Sequence, residues 1–170
     1  MIRMGLIISA GYDKIKQTVE RLTDCMTDSS FASVPAYEKL KTLRPVMLRL
    51  HKALLEAEQD SYERVHGPIT SKMELFQLVI NDEWFAWLRP ISGFIARIDE
   101  SIASKESVSP NVIHRLLEEA YEILPLQSDE ASEAAVRYQR AVDNYPKIAT
   151  LHEQVMDVLK PSNADNSESS

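Results

Sequence analysis

Leu40, Leu43, Met47, Leu50, Leu54, Ala57 and Ser61 recur at alternating steps of three and four, and Val65 follows four residues on. That heptad spacing keeps one face of an α-helix apolar for about seven turns. A strand reverses face at every residue and cannot use such a stripe. The chain therefore has to bury one long helix against other helices. Pro45 lies within the run without shifting its phase and falls on the opposite, solvent side. Proline removes a backbone hydrogen bond and presses on the carbonyl four residues back, so a bend around the core is expected there. Gly67-Pro68 ends the helix.

A wheel at ~100° per residue divides the remaining chain into amphipathic segments, with no strand pattern. A first helix is expected over residues 12–26, with Ile15, Val19, Leu22 and Met26 on one face and the turn formers Thr27-Asp28-Ser29-Ser30 closing it. Ser71-Lys72-Met73-Glu74 reads as a capping box that opens a short helix through Ile80. Its Leu75, Leu78 and Val79 sit nearly opposite the later stripe of Trp84, Leu88, Ile91, Ile95, Ile98 and Ile102. One straight helix cannot bury both sets against one neighbour, so a break is expected at Asn81-Asp82, with an N-cap there and acids at the new N-terminus. A bent helix over 82–104 is expected next, with Pro90 outward. Leu43-Arg44-Pro45-Val46 and Leu88-Arg89-Pro90-Ile91 look alike, but three shared residues read as coincidence or as one bending device used twice.

Ser109-Pro110 places an N-cap before a proline at the first helical position, and Ile113, Leu116, Leu117, Ala120 and Leu124 form that helix's face up to Pro125. A last segment starts at Ser128 or Asp129, with Ala131, Ala135, Tyr138, Val142 and Ala149 inward. Past Pro146 the stripe turns to Ile148, His152, Val155, Met156 and Leu159, so Tyr145-Pro146 is a kink or a break. Residues 161–170 are polar with nothing to bury, which predicts disorder. The expected fold is all-α: a bent, mostly antiparallel bundle of three long helices plus two or three short ones, one domain over 1–160 with a tail.

Composition narrows the function classes. The single cysteine, Cys25, cannot form an internal bridge, which points to a reducing, cytoplasmic setting. It sits near a helix C-terminus, not the N-terminus that would activate it, and reads as a packing residue. The net charge is −7, and it is uneven. Residues 1–68 carry 10 basic and 9 acidic side chains, and residues 69–170 carry 9 and 17. That acidic half repels phosphate backbones and disfavours nucleic acid. No run approaches the ~20 apolar residues of a membrane span, and the apolar start through Ala10 is too short and too soon followed by Tyr12-Asp13-Lys14 for a signal peptide. Glycines are scattered and no serine sits in a nucleophile elbow, which disfavours nucleotide-dependent and most hydrolase chemistry. No cofactor is implied.

Three groups of side chains are candidates for function. Glu63-Arg64-Val65-His66 matches the Glu-x-x-His signature of carboxylate-bridged di-metal bundles. No second copy exists, however, and the wheel turns Glu63 ~180° and His66 ~120° from the core stripe, toward water. His51, His66, His114 and His152 are also too few, and wrongly spaced, for a hemerythrin-like cluster. His51, Glu58 and Tyr62 share one flank of the long helix, ~40–80° off its stripe, where His152 of the last helix would meet them if those helices are neighbours. Such a groove would hold a metal or small ligand; the plainer reading is boundary residues paired with one another. Phe85 projects ~100° from the tryptophan stripe, on a side shared with Arg89, Ser92 and Ala96. Another helix is expected to pack there, either from this chain or from a second subunit. The expected function is non-enzymatic, through protein contacts or homo-oligomerisation, with the metal or ligand groove as the alternative.

Overall fold

The computed structural model describes residues 7–104, 109–124 and 132–160, with side chains from residue 34 onward. The described elements are all helical. In chain order they are α1 (Ile7–His66), α2 (Lys72–Asn81), a 3-10 helix (Glu83–Leu88), α3 (Arg89–Ala103), α4 (Pro110–Glu122), α5 (Glu133–Asn144) and α6 (Pro146–Leu159). The all-α expectation holds. The expected tail, residues 161–170, lies outside the described residues.

The first two expected helices are one. α1 runs without interruption for 60 residues, roughly 90 Å, and takes Pro35 and Pro45 inside it. Thr27-Asp28-Ser29-Ser30 does not end it. Threonine, aspartate and serine each cost a helix only some tenths of a kcal/mol, and no glycine or proline stands among those four to force a stop. The three expected long helices are thus one very long helix among several of ten to fifteen residues.

The heptad stripe of α1 is buried from Leu40 through Ala57, extended back to Ala36 and widened by Val46 and Ala53 into a three-sevenths face. Pro45 faces solvent as the wheel requires. The stripe's last member, Val65, departs from this: it is 66% exposed, four residues after Ser61 where the heptad alternation asks for three. α6 lies antiparallel on α1. Lys39 Nζ donates to the carbonyls of Leu159 and Lys160 at the end of α6, while Lys147 near its start pairs with Glu56. α3 is antiparallel to α1 as well, with Ser92 against His51 and Asp99 against Arg44. Buried side chains from α1, the 3-10 helix and α3 to α6 form one contiguous cluster.

The break at Asn81-Asp82 is present and built as the sequence implies. Asp82 is extended (φ −82°, ψ 139°) and accepts a hydrogen bond from the Trp84 amide at 2.8 Å. The single bent helix expected beyond it is replaced by two elements. Residues 83–88 wind as a 3-10 helix, and Pro90 falls in the first turn of α3 instead of bending a longer helix. A proline there needs no amide partner and meets no carbonyl one turn back. The winding also resets the wheel. In a 3-10 helix residues three apart eclipse one another, so Phe85 and Leu88 face inward together, in line with Ile91. The expectation that Phe85 turns away from the core is overturned: it is 0% exposed.

Two other expectations resolve simply. Tyr145-Pro146 is a true break, with Tyr145 extended (φ −125°, ψ 98°) between α5 and α6. α5 is capped by Ser132, whose side chain accepts from the Ala135 amide. The expected start at Ser128 or Asp129 lies outside the described residues.

Candidate functional site

The exposed end of α1 meets α5 and the 3-10 helix in a groove of about 590 Å³. Glu58 is the buried acid in its wall, 9% exposed, and is the buried charged residue of the described core. It sits one position past Ala57, so the stripe carries its stem into the core edge while its carboxylate meets α5. There the Arg137 guanidinium approaches at 3.5 Å. Arg137 is held from four directions. It donates to the Trp84 carbonyl at 2.8 Å and to Glu133 at 2.8 Å, faces Glu58, and lies over the Trp84 ring at 5.0 Å from its centroid. One arginine therefore ties α5 to both α1 and the 3-10 helix.

Burial raises the Glu58 pKa above the ordinary carboxylate value, and Arg137, the two indoles and Arg140 pull it back only in part. The Trp84 and Trp87 indole N–H groups both favour the charged carboxylate. Each is shut off from solvent and lacks a hydrogen bond of regular geometry. A buried donor in that position costs about 1–3 kcal/mol when unpaired, so the Glu58 charge is what these indoles face best. Behind Trp84, which lines the groove, aromatic rings pack together. Tyr62 meets Phe85 at 5.6 Å, Trp84 edge-on at 5.8 Å and His66 at 4.4 Å between centroids.

The four residues of the expected ligand groove do not converge. His51 lies seven residues before Glu58, about 10 Å along the helix, and its Nε2 contacts Ser92 Oγ at 2.7 Å. Ser92 also donates to the Leu88 carbonyl. The direction of the His51–Ser92 bond follows the imidazole tautomer. The pair resembles half of a nucleophilic dyad, but Ser92 sits within helix α3, where the surrounding backbone amides are committed to helical bonds. The contact works as a brace between α1 and α3. His152 Nδ1 meets the buried Tyr138 hydroxyl at 2.9 Å, between α6 and α5. Burial lowers both histidine pKa values and raises that of Tyr138, which suits a neutral imidazole accepting from a phenol. Tyr62 packs with His66, Trp84 and Phe85 instead. Among the described residues no three His, Cys, Asp or Glu side chains gather in a way that could hold a metal ion.

The expected interaction face is taken apart in the same way. Phe85 is core. Arg89 donates to the carbonyls of Val79 and Asp82 and closes the C-terminal end of α2. Ser92 is occupied by His51, and of the four only Ala96 stays exposed. The intramolecular alternative for this helix side is the one the packing adopts. Of the Glu-x-x-His pair, His66 is exposed as the wheel indicates. Glu63 is half-buried, accepting from Gln59 and the Ile69 amide.

Sequence reasoning missed two features. One is the arginine set Arg64, Arg137 and Arg140, whose meeting depends on α5 lying beside the end of α1. The other is the outer face of α2. Leu75, Leu78 and Val79 pack against the core, yet Met73, Phe76 and Ile80 are 67, 55 and 48% exposed on the opposite side. Their spacing of three and four was visible in the sequence. No helix among the described residues is long and apolar enough to cross a membrane. Comparison with known protein families, curated proteins and solved structures finds no match for this chain.

Proposed function

We propose that this protein is a cytoplasmic helical module that acts through transient protein contacts, with the outer face of α2 as its contact surface. The observation that carries the reading is the exposed row Met73, Phe76 and Ile80 on a helix whose inner side is apolar too. An exposed apolar row backed by a second, packed apolar side marks a contact surface. The i, i+3, i+7 spacing is the one by which a helix anchors in a partner's apolar groove. Three side chains, each about half exposed, offer roughly 300 Å². That matches the functional patches of monomers and falls well short of the ~800 Å² per partner of a stable complex. The contact is therefore weak and reversible, and a second copy of the chain is the first partner to test. The lone cysteine supports a reducing compartment, and the acidic second half argues against nucleic acid.

Sedimentation equilibrium up to about millimolar protein, paired with photo-crosslinking from position 76 and from exposed Glu118, tests this. Support is crosslinking from position 76 together with a concentration-dependent mass that Phe76→Asp abolishes without changing the melting midpoint. The reading fails if Phe76→Asp melts like a core variant. It also fails if the wild type stays monomeric and position 76 crosslinks no more than position 118.

A further inference from the structure

The groove beside Glu58 runs against the charge of the whole protein. The chain carries a net −7, yet the groove lining sets three guanidinium groups, Arg64, Arg137 and Arg140, against one carboxylate, Glu58. Arg137 is committed to Glu58 and Glu133. Among the described residues the other two form no ion pair. Arg64 donates only to neutral acceptors, the Asp60 carbonyl and the Ser61 hydroxyl. The Arg140 side chain favours the Glu58 charge from a distance but makes no hydrogen bond or ion pair among the described residues. Of the nearest acids, Glu63 accepts from Gln59 and the Ile69 amide, and Asp60 lines the adjoining recess with Arg64.

We propose that this groove binds a small phosphate monoester carrying an apolar or aromatic body. Two arginine forks from two different helices, α1 and α5, ask for more acceptor oxygens than one carboxylate presents. A phosphate monoester offers three, and guanidinium matches it in paired hydrogen bonds. Asn144 and Tyr145 add neutral polar groups on the same wall, while Val65 and Trp84 give the body of the ligand an apolar surface. The volume, about 590 Å³, lies within the usual range of small-molecule sites. The floor is already fixed by Arg137, which is bonded to the Trp84 carbonyl and stacked on its ring, so binding requires little reordering. Val65, exposed beyond a stripe that is buried through Ala57, gains a contact it lacks in the free protein.

The test uses the full chain and phenyl phosphate, followed by calorimetry and by tryptophan fluorescence, since Trp84 lines the groove. Inorganic phosphate and phenol represent the two halves of the ligand. Saturable one-to-one binding of phenyl phosphate is expected, with phosphate weaker and phenol undetected. Arg64→Gln and Arg140→Gln should each weaken binding by at least about tenfold. Arg115→Gln, an exposed arginine on α4 outside the groove, removes the same charge and should leave binding unchanged. All three sites are exposed, so folding is not at stake. The proposal is overturned by no saturable binding up to about 10 mM, by phenol binding as well as phenyl phosphate, or by the Arg115 variant losing as much affinity as the groove variants.

Discussion

Phe85 and Phe76 are the same residue nine positions apart, and the structure assigns them opposite energetics. Phe85 is 0% exposed and packs against Tyr62, whereas Phe76 is 55% exposed on the outer face of α2. Truncating a fully buried phenylalanine to alanine loses its transfer energy and leaves a cavity, about 3–5 kcal/mol. In a protein of this length each kcal/mol lowers the melting midpoint by roughly 2–4 °C, so Phe85→Ala should melt ~6–20 °C below wild type. With a urea m-value of about 2 kcal/mol per M, the unfolding midpoint should fall by ~2 M. Phe76→Ala loses roughly half of a smaller transfer term, under about 1 kcal/mol, and alanine's better helix propensity returns some tenths. Its midpoint should stay within ~0.5 M of wild type. Paired urea titrations followed by circular dichroism and tryptophan fluorescence measure both. The reasoning depends on the 3-10 winding of 83–88, which swings Phe85 inward; an α-helical turn would leave it outside. Equal effects of the two variants, or a Phe85→Ala loss under about 1 kcal/mol, would refute that winding.

Three further predictions concern pH and capping. The pKa values of His51 and His152 are lowered by burial, so their contribution to stability is complete above 6.5 and is lost as pH falls toward the lowered folded values. His51→Asn and His152→Asn should each flatten that slope in urea midpoints measured between pH 5 and 7.5. Glu58 has the opposite sign, because its raised pKa gives a contribution complete below 4.5 and lost as pH rises through the folded value. Glu58→Gln should therefore gain on wild type as pH rises; a difference that moves the other way means the pairing with Arg137 outweighs burial. Asp82→Ala removes the side chain that accepts from the Trp84 amide and should cost about 0.5–2 kcal/mol by the same urea assay. An unchanged midpoint would mean the break between α2 and the 3-10 helix is held by packing alone.

A feature of this fold was legible in the sequence to the extent that it depended on a short stretch of chain. The heptad face of α1 depends only on spacing within one helix, and its members from Leu40 to Ala57 are buried as read. Asp82 as a cap and Tyr145-Pro146 as a break depend on local backbone chemistry, and both hold. Thr27-Asp28-Ser29-Ser30 misled because turn preference is a weak bias that a long helix overrides. Phe85 misled because a wheel fixed at ~100° per residue cannot register a local change to the 3-10 period of ~120°, and one such turn moves the whole contact surface. Glu58, His51 and His152 were each found as boundary side chains, but their partners lie on other helices: Arg137, Ser92 and Tyr138. Which helices are neighbours is set by the packing of the entire cluster, not by any one stripe. Residues were thus readable where one helix determined them, whereas the groove is made by three elements meeting. Its charge shows the difference. In the sequence Arg64, Arg137 and Arg140 are scattered among an excess of acids, and only the placement of α5 beside the end of α1 turns them into a local positive field on an acidic protein.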